Sequence, residues 1–256
     1  MYMNPLLELG RRLVIVHRGA SGSAPENTLE AFELAVRQGA DAFELNVHLT
    51  RDGVPVVLHD ATLDRTTDRS GPLGTLSLAD LREVDAGGRF TVDGRTFPFR
   101  AVGVRIPTLS EVLRGFPEMP LLLEVKEPAA QEAVRQVLVD ESAVERCVLA
   151  SEHHSALRVF RQPPFAVAAS SAEIGALYRA VLLRRVPTSV PYRTLSVPVR
   201  HRGLPVPTRW FVAAARRLGC PVHVWTVNEA ALAQRLWQAG VAGIVTNFPE
   251  RMRVES

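Results

Sequence analysis

The chain has 256 residues, of which 46% are hydrophobic and 22% charged, and its formal net charge is +3. This length is typical of an eight-stranded α/β barrel, and the apolar fraction excludes disorder as the default. The small net charge, without a long basic run, argues against a nucleic-acid-binding surface. No apolar run approaches the roughly 18 residues of a membrane-spanning helix, and the first twelve residues lack signal-peptide features. We therefore expect a cytoplasmic protein without stable membrane insertion.

Short β-branched runs alternate with longer segments of helical period, which predicts βα units around a parallel sheet. The predicted strands are Leu13–Val16, Ala42–Val47, Leu121–Val125, Arg146–Ala150, Phe165–Ala169, Thr194–Val197, Pro221–Thr226 and Gly243–Thr246. The predicted helices are Thr28–Gln38, Leu109–Arg114, Ala129–Val139, His154–Arg161, Ala172–Arg185, Thr208–Leu218 and Glu229–Ala239. Asn27 followed by Glu30 predicts the start of the first helix. Eight strands favour a closed (β/α)₈ barrel, with residues 1–256 forming one domain.

The connection between the second and third predicted strands is long and irregular. Asp52 and Gly53 are typical of a hairpin turn, and the return strand Pro55–Leu58 leads to His59. From Arg65 to Pro107 the chain is rich in Gly, Pro, Thr and Asp. Long βα connections open on the catalytic face of a barrel, so we expect residues 65–107 to form a small insertion over the site.

Polar side chains occur at every second position near the ends of two predicted strands. Residues two apart in a strand share a face, so Glu44, Asn46 and His48 project together, as do Glu124 and Lys126. Carboxylate and amide oxygens gathered at the mouth of a barrel would suit a hard cation such as Mg²⁺ or Ca²⁺. The alternative is that both carboxylates pair with arginines at the barrel rim.

Two histidines each follow an apolar run and precede polar residues. His17 and His59 could divide acid and base roles near neutral pH, and the guanidinium of Arg18 would fit a phosphate. An isolated histidine is more often a core or surface residue, which is the expectation for His223. Lys126 is the single lysine of the chain, which suggests a position that requires a compact charge.

Together these residues resemble the glycerophosphodiester phosphodiesterase family. Between residues 130 and 220 no sharp motif is found. The motifs that carry the resemblance are His17-Arg18-Gly19, Pro25-Glu26-Asn27-Thr28, Gly39-Ala40-Asp41, Glu44-x-Asn46, Thr50-x-Asp52-Gly53, His59-Asp60, Leu63, Arg65-Thr66-Thr67, Ile106-Pro107-Thr108-Leu109, Leu123-Glu124-Val125-Lys126, Trp225-Thr226-Val227-Asn228 and Gly243-Ile244-x-Thr246-Asn247. So many motifs in the same order make the resemblance specific.

The resemblance implies a TIM barrel that hydrolyses glycerophosphodiesters to sn-glycerol 3-phosphate and an alcohol. It further implies one divalent cation, Mg²⁺ or Ca²⁺, and attack by the substrate's own neighbouring hydroxyl, with a cyclic phosphate that water then opens. A monomer or small homo-oligomer is expected. The implied roles are acid and base for His17 and His59, cation binding for Glu44, residue 46 and Glu124, phosphate binding for Arg18 and Lys126, and an apolar wall for Trp225.

The sequence departs from the family pattern at one position, because Asn46 replaces the usual aspartate. Its carbonyl oxygen can still bind Mg²⁺ or Ca²⁺, but the site loses one negative charge. Two readings remain open: an active enzyme with altered cation preference, which we favour, or a barrel that binds without cleaving. A third hypothesis is a lysophospholipase D-type phosphodiesterase on the same scaffold, which would require an apolar channel for an acyl chain.

Overall fold

The computed structural model describes residues 3–252, and this part of the chain forms eleven strands and seven α-helices. The strands are β1 (Leu13–His17), β2 (Ala42–Leu49), β3 (Pro55–Val57), β4 (Leu121–Val125), β5 (Cys147–Ala150), β6 (Ala166–Val167), β7 (Leu195–Pro198), β8 (Arg200–His201), β9 (Leu204–Pro205), β10 (Val222–Trp225) and β11 (Gly243–Thr246). The α-helices are α1 (Leu29–Arg37), α2 (Leu78–Leu81), α3 (Leu109–Gly115), α4 (Gln131–Asp140), α5 (Ser171–Leu182), α6 (Arg209–Arg217) and α7 (Ala230–Gln238).

Eight parallel strands form a closed ring, which confirms the predicted (β/α)₈ barrel. Their order is β6-β5-β4-β2-β1-β11-β10-β7, and β3 adds to β2 as an antiparallel strand. The ring closes between β6 and β7 through a parallel bridge that joins Ala168 to Thr194. The backbone amide of Ala169 also donates to the carbonyl oxygen of Thr194 at 2.9 Å. Strand pairing is therefore shortest between β6 and β7, which we call the seam of the barrel.

Alternation along the strands separates the interior of the barrel from its outer core. Leu13 and Ile15 belong to an apolar cluster inside the ring, together with Leu6, Ala42, Leu122, Val148, Ala168 and Val245. Val14 and Val16 point outward and pack in the larger core between the strands and helices. Because side chains alternate with period two, His17 and Glu44 continue the inward rows above this apolar layer.

Two helix predictions require correction. Thr28, and not Asn27, caps α1, since its hydroxyl oxygen accepts from the backbone amide of Ala31. Asn27 instead has a left-handed backbone with φ of 59°, which asparagine tolerates, and its side chain turns toward the barrel.

The predicted helix at 154–161 is a 3₁₀ helix, His154–Phe160. The hairpin of β8 and β9 was not predicted, because two-residue strands carry almost no periodic signal.

The connection from β2 to β4 has an apolar cluster of its own. The hairpin turn at Gly53 and the return strand β3 are as predicted, and β3 ends just before Leu58. Val56 of β3 and the residues that follow form a compact cluster separate from the barrel core, which comprises Val56, Leu58, Leu63, Leu73, Leu81, Val84, Ala86, Val104 and Ile106. The assignment of residues 65–107 as an insertion over the site, in a single domain of residues 1–256, stays a prediction.

Candidate active site

A cavity of about 560 Å³ opens at the carboxyl ends of the barrel strands. Strand register places His17 beside Glu44 and Asn46 beside Glu124, so the inward rows of β1, β2 and β4 meet there. We call this side the polar half; it comprises His17, Arg18, Glu44, Asn46, His59, Glu124 and Lys126. The opposite side, the apolar half, comprises Ala168, Ala169, Ile174, Tyr178, Pro198, Leu204, Val206 and Trp225.

The two histidines have different partners. Nδ1 of His17 lies 2.7 Å from Oδ1 of Asn247, whereas Nδ1 of His59 lies 2.6 Å from a carboxylate oxygen of Asp60. Burial and the nearby charge of Arg18 lower the pKa of His17 to about 4. Burial also lowers the pKa of His59, but its hydrogen bond to Asp60 opposes that change. The imidazolium form is therefore better supported at His59 than at His17.

A chain of ion pairs links the two histidine regions. Arg65 donates to both carboxylate oxygens of Glu26, at 2.7 and 2.8 Å, and to Oδ2 of Asp60 at 2.6 Å. Glu26 accepts a further bond from Arg18 at 2.9 Å. Burial opposes ionisation of Glu26, yet the bonds from Arg65 and the charge of Arg18 lower its pKa to about 2. The hydrogen bond from Arg65 lowers the pKa of Asp60 to about 2 as well. Arg65 thus holds in place both Glu26, the partner of Arg18, and Asp60, the partner of His59.

Three polar side chains from β2 and β4 form the floor of the polar half. Nδ2 of Asn46 donates to Oε1 of Glu44 at 2.8 Å and to Oε2 of Glu124 at 2.9 Å. The ammonium group of Lys126 lies 2.7 Å from Oε2 of Glu124. Burial, followed by the charge of Glu124, raises the pKa of Glu44 to about 7. Neither carboxylate pairs with an arginine within residues 3–252, unlike the rim alternative considered from the sequence.

The donor set fits a hard divalent cation. Glu44 and Glu124 supply carboxylate oxygens, and Asn46 can supply an amide oxygen. Oε2 of Glu44 is buried and has no hydrogen-bond partner among residues 3–252, so it is a coordination-competent oxygen at the floor of the cavity. His and Cys are absent from this trio, which favours Mg²⁺ or Ca²⁺ over Zn²⁺.

The comparisons with known proteins agree with this geometry. The model of the glycerophosphoryl diester phosphodiesterase family matches residues 17–251. The chain belongs to this family. A glycerophosphodiester phosphodiesterase of Caldanaerobacter subterraneus subsp. tengcongensis is 34% identical over 250 residues, which cover 94% of this chain and 96% of that protein. One of Bacillus subtilis is 30% identical, covering 96% and 86%.

Solved structures of glycerophosphodiester phosphodiesterases share the fold. A phosphodiesterase of Oleispira antarctica in complex with its product, sn-glycerol-3-phosphate, has a TM-score of 0.78 and 28% identity and covers 98% of both chains. The phosphodiesterase domain of a Mycobacterium tuberculosis protein has a TM-score of 0.85 and 24% identity, and covers 94% and 97%. The latter likeness concerns the fold alone.

All eight residues to which the family resemblance assigns a role line this one cavity. His223 is fully buried, and burial lowers its pKa to about 4, as expected for a core residue. His48 lies behind the polar half, where Nε2 is 3.1 Å from the carbonyl oxygen of His59 and Nδ1 is 3.3 Å from Glu127. It therefore holds the backbone of His59.

Sequence reasoning assigned no role in the site to the residues that orient the polar half. Glu26, Asn27, Asp60, Arg65 and Asn247 all lie in the recognised motifs, but their positions along the chain do not show which side chain each one contacts. The apolar half was missed for another reason. Apart from Trp225, its residues all lie in the stretch without motifs, between residues 130 and 220.

Proposed function

We propose that this protein hydrolyses glycerophosphodiesters, releasing sn-glycerol 3-phosphate and an alcohol. The observation that carries the proposal is the convergence of two differently partnered histidines, two cationic side chains and two carboxylates at one end of a single cavity, in a member of this family. The product bound to the Oleispira antarctica relative supports the same substrate class.

Phosphate recognition is assigned to Arg18 and Lys126. Both side chains are about 14% exposed, so their charges act where water screens them weakly. Each is held by a carboxylate, Arg18 by Glu26 and Lys126 by Glu124, which fixes its direction before a substrate arrives. Preorganised charges of this kind stabilise the negative charge that develops on the non-bridging oxygens.

Proton transfer is assigned to His17 and His59. A neutral His17 accepts the proton of the attacking hydroxyl group at the ring nitrogen that does not face Asn247. His59, whose protonated form Asp60 supports, donates a proton to the oxygen of the leaving alcohol. The two histidines then exchange roles when water opens the cyclic phosphate.

Glu44, Asn46 and Glu124 are assigned to one divalent cation, Mg²⁺ or Ca²⁺. When bound, the cation would supply further charge neutralisation at the phosphate oxygens. With an amide in place of a third carboxylate, the site carries one negative charge less, and we expect weaker cation binding than with aspartate at this position.

The apolar half favours a second candidate, a lysophospholipase D-type reaction. Ile174 and Tyr178 of α5 face the cavity together with Leu204 and Val206, and Trp225 adds an indole that is 40% exposed. Such a surface suits an acyl chain attached to the glycerol, or an apolar leaving alcohol, better than it suits a small polar head group. Within residues 3–252 no helix is both long and apolar enough to cross a bilayer.

Purified protein assayed on glycerophosphoethanolamine, glycerophosphocholine and lysophosphatidylcholine tests these assignments. Each substrate should be measured with Mg²⁺, with Ca²⁺ and with EDTA. Release of glycerol 3-phosphate from either glycerophosphodiester supports the main proposal, and release of choline from the lysolipid supports the second. Equal turnover with cation and EDTA would refute the cation assignment. Binding without turnover of any diester would identify a non-catalytic barrel.

The cytoplasmic location of the protein and its assembly as a monomer or small homo-oligomer stay predictions.

A further inference from the structure

Two buried amides lie side by side beneath the proposed cation site. Asn46 and Asn27 are each about 1% exposed. Nδ2 of Asn46 donates to Glu44 and Glu124, and Oδ1 of Asn46 accepts from Nδ2 of Asn27 at 3.2 Å. The partially positive amino group of Asn46 therefore spans the two carboxylates that we assign to a cation.

One atom of this arrangement is unmatched. Oδ1 of Asn27 is buried and has no hydrogen-bond partner in the described part of the chain. The backbone of Asn27 is anchored, because its amide donates to the carbonyl oxygen of Arg18 at 2.8 Å and its φ is 59°. With the backbone fixed, the main freedom left to Asn27 is rotation of its amide plane. A buried acceptor without a donor is costly, so it calls for an explanation.

A cation held by Glu44 and Glu124 requires the opposite orientation of Asn46. Its carbonyl oxygen must then face inward, because the amino group has no lone pair to offer a cation. Rotation by about 180° around the bond from Cβ to Cγ exchanges the oxygen and nitrogen of an amide at nearly constant shape. The amino group of Asn46 would then face the amino group of Asn27, so Asn27 must rotate too. Its Oδ1, unmatched in the orientation described here, then accepts from Asn46.

We propose that Asn27 and Asn46 form a two-position amide pair that serves the cation site in both of its conditions. With the Asn46 amino group inward, the pair bridges the two carboxylates in place of a cation. With the carbonyl group inward, it supplies a cation ligand and keeps one hydrogen bond between the two amides, now donated by Asn46 and accepted by Asn27. Aspartate at residue 46 has no donor and can take only the second role. This inference rests on the cation site proposed above, but not on turnover.

The sequence makes a direct test possible, because the chain contains five asparagines, at positions 4, 27, 46, 228 and 247. Protein labelled with ¹⁵N at the asparagine side-chain amides is first treated with EDTA and then titrated with Mg²⁺ or Ca²⁺. The signals of Asn27 and Asn46 should shift together with one midpoint, while that of Asn4, bonded to the backbone of Glu145, stays in place. Movement of the Asn46 signal without the Asn27 signal would overturn the amide pair.

Calorimetry on the same samples separates this failure from failure of the cation site. If heat shows cation binding and neither amide signal moves, the amide pair is wrong and the site stands. If neither cation binds, the site fails and the amide pair fails with it, whatever the protein's turnover.

Thermal unfolding in EDTA provides the second test. Asn46→Asp should lower Tm by roughly 5 °C or more, because a third carboxylate then replaces the amino group that bridges Glu44 and Glu124, and saturating cation should restore most of the loss. Asn228→Asp is the matched control, since Asn228 uses its oxygen to accept from Thr246 and Asn247 and aspartate retains it. Asn27→Asp, which can only accept, should hold the Asn46 carbonyl inward and tighten cation binding about tenfold. An unchanged Tm for Asn46→Asp in EDTA would contradict the proposal.

Discussion

The two halves of the barrel mouth are built in different ways. Each charged side chain of the polar half is fixed by at least one further charged or amide group, as Glu26 fixes Arg18 and Asp60 fixes His59. The apolar half has few such bonds, among them the 3.2 Å contact from the hydroxyl of Tyr178 to the carbonyl oxygen of Pro205. Proton transfer and phosphate binding require each group to point in a fixed direction, and they are assigned to the half in which hydrogen bonds fix the side chains. The apolar half would instead select a substrate by its shape, and its surface is formed by packing.

The largest effect is expected at the histidines of the polar half. His17→Ala and His59→Ala should each reduce kcat on glycerophosphoethanolamine by about 10²-fold or more, because each removes a proton-transfer group. Circular dichroism and Tm should remain close to wild type. His153→Ala is a suitable control, since that side chain is exposed and does not line the cavity. A loss of less than about fivefold in either variant would remove that histidine from the proposed chemistry.

The ion-pair chain of the polar half should show itself in stability against pH. Folded Glu26 takes up its proton at a pKa of about 2, against 4.5 for an ordinary glutamate. The unfolded chain therefore binds more protons as the pH falls below 4.5, and the stabilisation is lost toward pH 2. Arg65 is 47% exposed, so screening leaves a contribution of about 1–2 kcal/mol.

Arg65→Gln tests this contribution by urea unfolding at pH 7, 4.5 and 3. Its deficit in free energy of unfolding should be full at pH 7 and should shrink at pH 3. Arg69→Gln, an exposed arginine of the same segment, should show no such deficit. A deficit that is the same at all three pH values would mean that Arg65 stabilises the fold by packing and not through Glu26 and Asp60.

The single lysine of the chain should not be replaceable by arginine. The ammonium group of Lys126 lies 2.7 Å from Glu124, and the longer, planar guanidinium would crowd the floor of the polar half. We expect Lys126→Arg to lower kcat/KM about tenfold. Arg158→Lys makes the reverse exchange at an exposed position and should have no effect. Wild-type turnover of Lys126→Arg would show that only charge matters at this position.

The smallest effect is expected in the apolar half, and it should depend on the substrate. Trp225→Ala should raise KM for lysophosphatidylcholine about fivefold and leave KM for glycerophosphoethanolamine within about twofold, because only the former covers this surface. Trp210→Ala is the control, since Trp210 is 76% exposed and lies outside the cavity. Equal losses on both substrates would instead place the indole against the glycerol moiety, as the family resemblance implies.

The polar half could be predicted to a large extent because it follows local rules. The period of two in β2 and β4 placed Glu44, Asn46 and Glu124 on inward rows, and strand register then makes them neighbours. The predicted strands each have a counterpart in the structure, and their boundaries differ by at most two residues at either end.

What could not be predicted depends on contacts distant in sequence or on the orientation of a single group. Arg65 reaches Glu26 across 39 positions, and no local pattern indicates such a pair. The direction of the Asn46 amide is set by acceptors on two strands, so the residue type alone does not determine whether oxygen or nitrogen faces the cavity. The apolar half requires α5 and the hairpin of β8 and β9 to be packed over the mouth before its surface exists.

The short seam of the barrel has a consequence for how the molecule opens. β6 contains two residues, and it meets β7 through the bridge of Ala168 with Thr194 and the hydrogen bonds beside it. Local opening costs least where the fewest backbone bonds must break. Amide hydrogens near Ala168 and Thr194 should therefore exchange sooner than those of β1, β2 and β4. Ala168 lines the cavity, so local opening between β6 and β7 would widen the entrance for a bulky substrate and leave the charged groups in place.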